Sequence, residues 1–132
     1  RSGIEVFKKY PIKGVGNKNY RIETCGYGSN PKYFCNTHPH QIYIEFLSEH
    51  GLAGSLLFLS VIFFLIFKNF RVMIVSKNSI QLGSFCFLLI NFIPILPSGS
   101  FFTDFNATFF WLNFSIFYAS NSKTNIFSKQ GD

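Results

Sequence analysis

Three long runs without a charged side chain constrain the fold of this chain more than any other feature. They cover residues 51–67, 78–103 and 105–122. A helix needs about 20 mainly apolar residues to cross the hydrocarbon of a bilayer, within a range of roughly 17–25. Residues 1–50 are too few to bury the first two runs in a soluble core. For the third run, which is short and carries two asparagines, a buried amphipathic helix is the alternative.

The runs predict an all-α integral membrane protein with three transmembrane helices within residues 51–122. A polar loop, 1–50, precedes them, and a short tail, 123–132, follows. Charged residues make up only 14% of the chain, against roughly 25% in soluble domains. The loop holds most of them. Because the chain starts at Arg1 and its only methionine is Met73, we interpret it as a piece of a longer protein, inactive when isolated.

The distribution of basic residues predicts the orientation in the membrane. Connector 68–77 holds three bases and no acid, whereas connector 97–106 holds one acid and no base. Basic residues near the ends of spans favour the cytoplasmic side. We therefore expect connector 68–77 and the tail to be cytoplasmic and the loop 1–50 to be external. The bases of residues 1–32 favour the opposite orientation, but most lie more than about 20 residues from the first span, where their weight falls.

The external loop is predicted to contain short helices. The first runs to Tyr10 and is ended by a proline and a Gly-x-Gly turn. The second begins at His38 or Pro39, because proline suits the first helical position. Its apolar residues recur at helical spacing, which is typical of an amphipathic helix at a membrane surface. Gly51 is placed to end or bend this helix.

Two cysteines of the loop, Cys25 and Cys35, allow three interpretations. An external loop lies in an oxidising compartment, which favours a disulfide. Two free thiols are the second possibility. A zinc site with His38 and His40 is the third, but its C-x9-C-x2-H-x-H spacing departs from the pairs that zinc sites use. We predict the disulfide, and no metal or other cofactor.

The two histidines of "THPHQ" are candidates for acid–base chemistry. Histidine is the side chain best suited to move a proton near neutral pH. At a helix N-terminus the dipole would keep His40 neutral, and the free N–H groups there would favour a phosphate. That combination suits attack on a lipid-linked phosphosugar at the membrane surface. The alternative is that His38 caps the helix and His40 is an ordinary surface residue.

The basic residues of the loop also have two interpretations. They form either a solvated face near anionic lipid headgroups or a steering field for a pyrophosphate substrate. Arginine is preferred for bidentate phosphate contacts. We therefore predict that Arg21 binds substrate, with Lys18 and Gln41 as further substrate-binding residues.

The segments "PIKGVGNKNYR" and "THPHQIYIEFLSEHGLAG", followed by a membrane span, resemble the C-terminal part of the O-antigen ligase and polymerase family of bacterial membrane proteins. That family has a Pro-x-x-Gly-x-Gly turn, a His-Pro-His-Asn-like motif on an external loop, and Glu-x-Gly-x-x-Gly leading into a helix. The resemblance covers roughly residues 4–120, and Gln41 stands where the family more often has Asn. The matching residues are Pro11, Gly14 and Gly16; His38, Pro39 and His40; and Glu49, Gly51 and Gly54.

The resemblance implies an inverting, metal-independent glycosyltransferase, multi-pass in the bacterial inner membrane. A ligase of this kind moves a glycan from undecaprenyl diphosphate to lipid A-core. A polymerase joins two lipid-linked repeat units instead. By position, His40 matches the family histidine best and His38 second. The expected partners are these glycolipids and membrane lipids, with no nucleic acid. The alternatives are the polymerase, a non-catalytic membrane module and a soluble zinc-binding domain.

Overall fold

The computed structural model describes residues 1–26, 31–96 and 99–125. Within these ranges the chain is all-helical, without a strand, which confirms the predicted class. The rest of the predicted cytoplasmic tail, residues 126–132, lies outside the described residues. The helices are α1 (Ser2–Lys9), α2 (Tyr20–Cys25), α3 (Ile42–Lys68), α4 (Phe70–Ser76), α5 (Ser79–Ile90) and α6 (Asp104–Ala119).

Helix α3 is the longest element, and its backbone is broken once. Gly51 has φ 63° and ψ −170°, so a kink separates a short amphipathic part from the apolar part that follows. Together α3 and α4 form Ile42–Ser76, the one helical stretch in the described ranges that is long and apolar enough to cross a membrane. Only 22% of its most apolar window is buried, so this surface faces outward rather than into a core of the chain.

The second and third uncharged runs form shorter helices than a full span requires. Helix α5 has 12 residues and α6 has 16, which correspond to about 18 and 24 Å of rise. The hydrocarbon of a bilayer is about 30 Å thick. Helix α5 ends before Pro94, because proline cannot donate a helical hydrogen bond and disfavours helix in the residue before it. By length and composition, one helical stretch of the described residues could cross a membrane, and the described lengths of α5 and α6 do not by themselves show a second and third span.

Phenylalanine rings fill the core where α3, α5 and α6 meet. The Phe46 and Phe101 ring centroids lie 5.3 Å apart, and those of Phe101 and Phe110 lie 5.0 Å apart. Farther along the same interface, Phe85 packs on Phe117 at 6.0 Å. Tilted and edge-to-face rings at these distances are favourable beyond the area they bury. This core fixes segment 99–103 against the amphipathic part of α3.

Candidate functional site

Helix α3 starts after the histidine motif rather than within it. Gln41 is the N-cap residue, and its side-chain oxygen accepts a hydrogen bond from Ile44 N at 2.7 Å. The prediction of a start at His38 or Pro39 is wrong, because the cap satisfies a first-turn N–H from Gln41. His40 therefore precedes the cap instead of lying on the first turn. The oxygen of Gln41 serves the helix, which leaves its amide nitrogen as the atom that could contact a substrate.

The two histidine rings lie together but in different surroundings. Their centroids are 4.8 Å apart in an edge-to-face arrangement. His38 is partly buried, and its Nδ1 lies 3.0 Å from Thr37 Oγ1, whereas His40 is exposed. Burial, and secondly the nearby charge of His40, lower the pKa of His38 below its ordinary value. His38 is thus the more buried ring of the pair and the one oriented by a neighbouring side chain.

Both histidines line a pocket of about 330 Å³ between α1 and the start of α3. Arg1 and Tyr20 line it as well. Arg1 is the N-cap residue of α1, and the free N–H groups of a helix's first turn can bind an anion. The sequence reasoning gave Arg1 no role, because its place beside the histidines depends on how α1 packs against α3.

Helix α1 approaches the histidine motif through a glycine and a serine. A Cβ at Gly3 would collide with the side chain of Ile44 and press on Pro39, so only glycine allows this approach. Ser2 is buried, and its Oγ accepts a hydrogen bond from Phe34 N at 2.7 Å. These contacts hold the N-terminal end of α1 against the segment that carries the histidines.

A disulfide supports the same segment from the other side. Cys25 and Cys35 are joined, with their Cα atoms 4.6 Å apart. Thr24 Oγ1 donates to Asn36 O at 3.2 Å, which adds a second link between α2 and the chain leading to His38. The zinc alternative loses its two thiolates to this bond. Within the described ranges no three His, Cys, Asp or Glu side chains converge as a metal site.

The structure does not bring the other predicted substrate-binding residues, Arg21 and Lys18, to this pocket. Arg21 is exposed on α2 and is not among the residues that line it. Lys18 has a left-handed backbone with φ 60°. Its N–H donates to Glu49 Oε2 at 3.0 Å, and its Nζ lies 3.8 Å from Asp104 Oδ1. Lys18 is thus engaged with α3 and α6, and Arg21 faces solvent.

The Pro-x-x-Gly-x-Gly turn closes the kink of α3, an arrangement that we call the clasp (residues 11–16 with 48–53). A break in a helix leaves carbonyl and N–H groups without intrahelical partners. Here the turn satisfies two of the carbonyl groups and two of the N–H groups. Backbone hydrogen bonds therefore connect two motifs that are far apart in the sequence. The bonds are Val15 N to Ser48 O (3.0 Å), Gly16 N to Glu49 O (2.8 Å), Leu52 N to Pro11 O (2.8 Å) and Ala53 N to Ile12 O (3.2 Å).

Two glycines make the clasp possible. Gly14 and Gly51 both have positive φ, at 68° and 63°. A Cβ at Gly14 would collide with the backbone of Glu49, and one at Gly51 would collide with the backbone of Ile12. Only glycine offers both the left-handed conformation and the close approach of the two backbones.

Two buried carboxylates on the amphipathic part of α3 anchor the neighbouring loops. Glu49 receives the Lys18 N–H already described. Glu45 is fully buried and accepts hydrogen bonds from Phe101 N at 3.0 Å and from Ser100 Oγ. Burial raises the pKa of both groups. The sequence reasoning noted Glu49 only as part of a motif and gave Glu45 no role, although their i, i+4 spacing places both on one face.

Comparisons of this chain with family models, with curated proteins and with solved structures found no match. The three motif segments are therefore interpreted from the geometry they adopt here. Two of them form the clasp, and the third lines the pocket beside it.

Proposed function

We propose that this chain is the C-terminal part of an O-antigen ligase-like glycosyltransferase of the bacterial inner membrane. It would move a glycan from undecaprenyl diphosphate to lipid A-core. The observation that carries the proposal is the pocket in which two histidines and an arginine meet, immediately before the apolar helix. A lipid-linked substrate is confined to the membrane surface, so its reacting groups reach the protein at this depth.

In the proposed reaction, neutral His38 accepts the proton of the acceptor hydroxyl while that oxygen attacks the anomeric carbon. Its Nδ1 lies at Thr37, so Nε2 is the atom available for this proton. The bond from the anomeric carbon to the diphosphate breaks on the opposite face, which inverts the configuration. Both electrons of that bond leave with undecaprenyl diphosphate. General-base catalysis of this kind typically contributes about 10²–10⁴ in rate.

Arg1 and the N-terminal N–H groups of α1 would stabilise the charge that grows on the departing diphosphate. Arginine can bind two phosphate oxygens at once. The exposed ring of His40, next to His38, would contact the acceptor or the diphosphate. The sequence ranked His40 above His38, but the structural contacts favour His38 as the base and His40 as its substrate-binding neighbour.

The proposal includes the three-span arrangement in the membrane. The helix after Gly51 would cross from the outside to the cytoplasm, and α5 and α6 would form the core of the second and third spans with their flanking uncharged residues. Exposed apolar side chains on these helices support this arrangement, among them Leu82, Phe109 and Trp111. In this orientation the histidine pocket is periplasmic and the Lys68 end of α3 is cytoplasmic.

The test is glycan attachment in cells whose chromosomal copy carries single substitutions. His38→Ala should reduce the glycan on lipid A-core by about 10²–10⁴, with protein abundance unchanged on an immunoblot. Lys13→Ala is the matched control, because Lys13 is an exposed loop residue outside the pocket. Normal attachment by His38→Ala at equal abundance would overturn the role of His38.

The glycans that accumulate in the same cells distinguish a ligase from a polymerase. Loss of a ligase leaves long glycans on undecaprenyl diphosphate and none on lipid A-core. Loss of a polymerase instead leaves lipid A-core that carries a single repeat unit. We expect the first pattern, and the second would replace the ligase by the polymerase.

A further inference from the structure

A second pocket lies at the opposite end of α3 from the histidines. Helix α3 spans about 40 Å by its 27 residues, and α4 continues from its far end. The pocket has a volume of about 340 Å³ and is formed by one side of α4 and the turn after α6. Its lining residues are Arg71, Val72, Val75, Ser76 and Lys123. Two bases from separate elements therefore meet beside an apolar wall.

Buried polar side chains fix the position of the backbone at Lys123. Gln81 is fully buried, and its Nε2 donates to Phe117 O at 3.0 Å. Asn121 Nδ2 donates to Gln81 Oε1 at 3.0 Å, and Lys123 N donates to Asn121 Oδ1 at 3.0 Å. Buried polar side chains with satisfied hydrogen bonds specify one geometry. The backbone that carries Lys123 is thus fixed relative to α5 and α6.

The charge at this end of the molecule has one sign. Residues 66–78 and 118–125 contain four bases and no acid. Across the described ranges, neither Arg71 nor Lys123 forms an ion pair. Val75 is 78% exposed and continues the apolar surface of α4 toward the two bases. The pocket thus offers cationic donors at one edge and hydrocarbon contact at the other.

We propose that this pocket binds an anionic phospholipid. Arg71 contacts two oxygens of the headgroup phosphate, and Lys123 contacts it as a point charge. The valines pack against the first methylene groups of an acyl chain. Basic pockets between helices at a membrane surface recognise anionic lipid headgroups in this way. The site is separate from the histidine pocket, and its occupation does not depend on glycan transfer.

The test is lipid retention by the full-length protein extracted from vesicles of equal phosphatidylglycerol and phosphatidylcholine. Native mass spectrometry in mild detergent counts the bound lipids. The wild-type protein should retain phosphatidylglycerol in preference to phosphatidylcholine. Arg71→Gln with Lys123→Gln should weaken this retention about 25-fold, because each base near an anionic lipid contributes about fivefold. The matched control is Lys68→Gln with Lys77→Gln, which removes the same charge at the same end but outside the pocket.

The control variant should keep its retention within about twofold. Equal losses in the two double variants would overturn the site in favour of general surface attraction. Equal retention of both lipids by the wild-type protein would also overturn it. Displacement of the lipid by millimolar inorganic phosphate would show that the acyl chain is not part of the site. If the double variant fails to fold, Val75→Asp serves instead, since this exposed change places a carboxylate beside both bases and should abolish retention.

Discussion

His38 and His40 differ in what surrounds each ring, although both lie in one short motif. Thr37 contacts Nδ1 of His38, and partial burial lowers its pKa. His40 precedes the N-cap residue and is exposed. The motif made both histidines candidates from sequence alone. Which histidine is the better candidate for the base depends on where α3 begins. Gln41, not proline, marks that start, and residue spacing does not specify a side-chain cap of this kind.

We expect His40→Gln to shift the pH dependence of glycan transfer. The charge of His40 is the second cause, after burial, that lowers the pKa of His38. Removing this charge should raise that pKa, so His38 would become protonated, and inactive as a base, at a higher pH. The acidic limb of a pH–rate profile in proteoliposomes should then move upward in pH. An unchanged or lower limb would contradict the assignment of His38 as base, and Lys13→Gln provides the control profile.

Glu45 gives a second residue-scale prediction, for stability against pH. Burial, partly opposed by the bonds from Ser100 and Phe101, raises its pKa above 4.5 in the folded chain. The folded state then binds the proton more strongly than the unfolded state, so stability falls as pH rises from about 4.5 through the raised value. Glu45→Gln should remove this fall while keeping an acceptor for Phe101 N.

Thermal unfolding in detergent between pH 4 and 8 measures this effect. Glu5→Gln is the control, because Lys8 lowers the pKa of exposed Glu5 and the pH dependence of that group has the opposite sign. If the wild-type protein and Glu45→Gln gave parallel curves, the raised pKa of Glu45 would be wrong.

At the element scale, the clasp explains which boundaries the sequence could predict. The end of α1 near Tyr10 and the bend at Gly51 were both predicted from proline and glycine, and both are confirmed. Proline and glycine act on the backbone locally, and they determine where a helix ends or bends. Helix α5 ends at Ile90 although the uncharged run continues to residue 103, because a hydropathy run does not register a helix that stops before Pro94. The clasp itself joins segments more than 30 residues apart, which spacing alone does not predict.

Substituting the kink glycine should cost more than substituting a helical one. Gly51→Ala forces an alanine into a backbone with φ 63° and ψ −170°, a region essentially restricted to glycine, at about 1–3 kcal/mol, and pushes its Cβ into the backbone of Ile12. We expect a loss of more than 2 kcal/mol in the free energy of unfolding. Gly83→Ala is the matched control on α5, where the new Cβ meets nothing within 4 Å. It should stabilise the chain by about 0.5–1 kcal/mol.

Chemical denaturation in mixed micelles compares these two variants. Gly14→Ala, on the other side of the clasp, should behave like Gly51→Ala because its φ is also positive. A Gly51→Ala protein as stable as Gly83→Ala would show that the kink can be replaced by a continuous helix.

At the scale of the whole molecule, the two pockets are separated along the length of one helical stretch. The histidine pocket lies at one end of the Ile42–Ser76 stretch, and the Arg71–Lys123 pocket lies at the other. The long apolar helix and the polar loop before it follow directly from the uncharged runs. The positions of Arg1 in the first pocket and of Lys123 in the second do not follow from these runs, because both depend on packing between elements that are distant in sequence.

This separation predicts which residues a membrane-impermeant thiol reagent reaches. In a Cys86→Ser background, Lys13→Cys should be labelled from the periplasm, because it lies in the exposed loop before the kink. Ser76→Cys, at the far end of α4, should be labelled only after the inner membrane is opened. The reverse order would overturn the orientation, and labelling of both before opening would exclude a membrane between them.

The clasp also bears on how proteins of this kind can diverge. Its two backbone segments, residues 11–16 and 48–53, meet at one point, so the chain that connects them leaves the long helix and returns to the same place. The closing contacts use main-chain atoms, so they depend on the glycine backbones at Gly14 and Gly51 rather than on particular side-chain chemistry. Enlarging a loop whose ends are already fixed costs little extra chain entropy. A longer chain between residues 17 and 40 would therefore leave the four closing hydrogen bonds of the clasp in place.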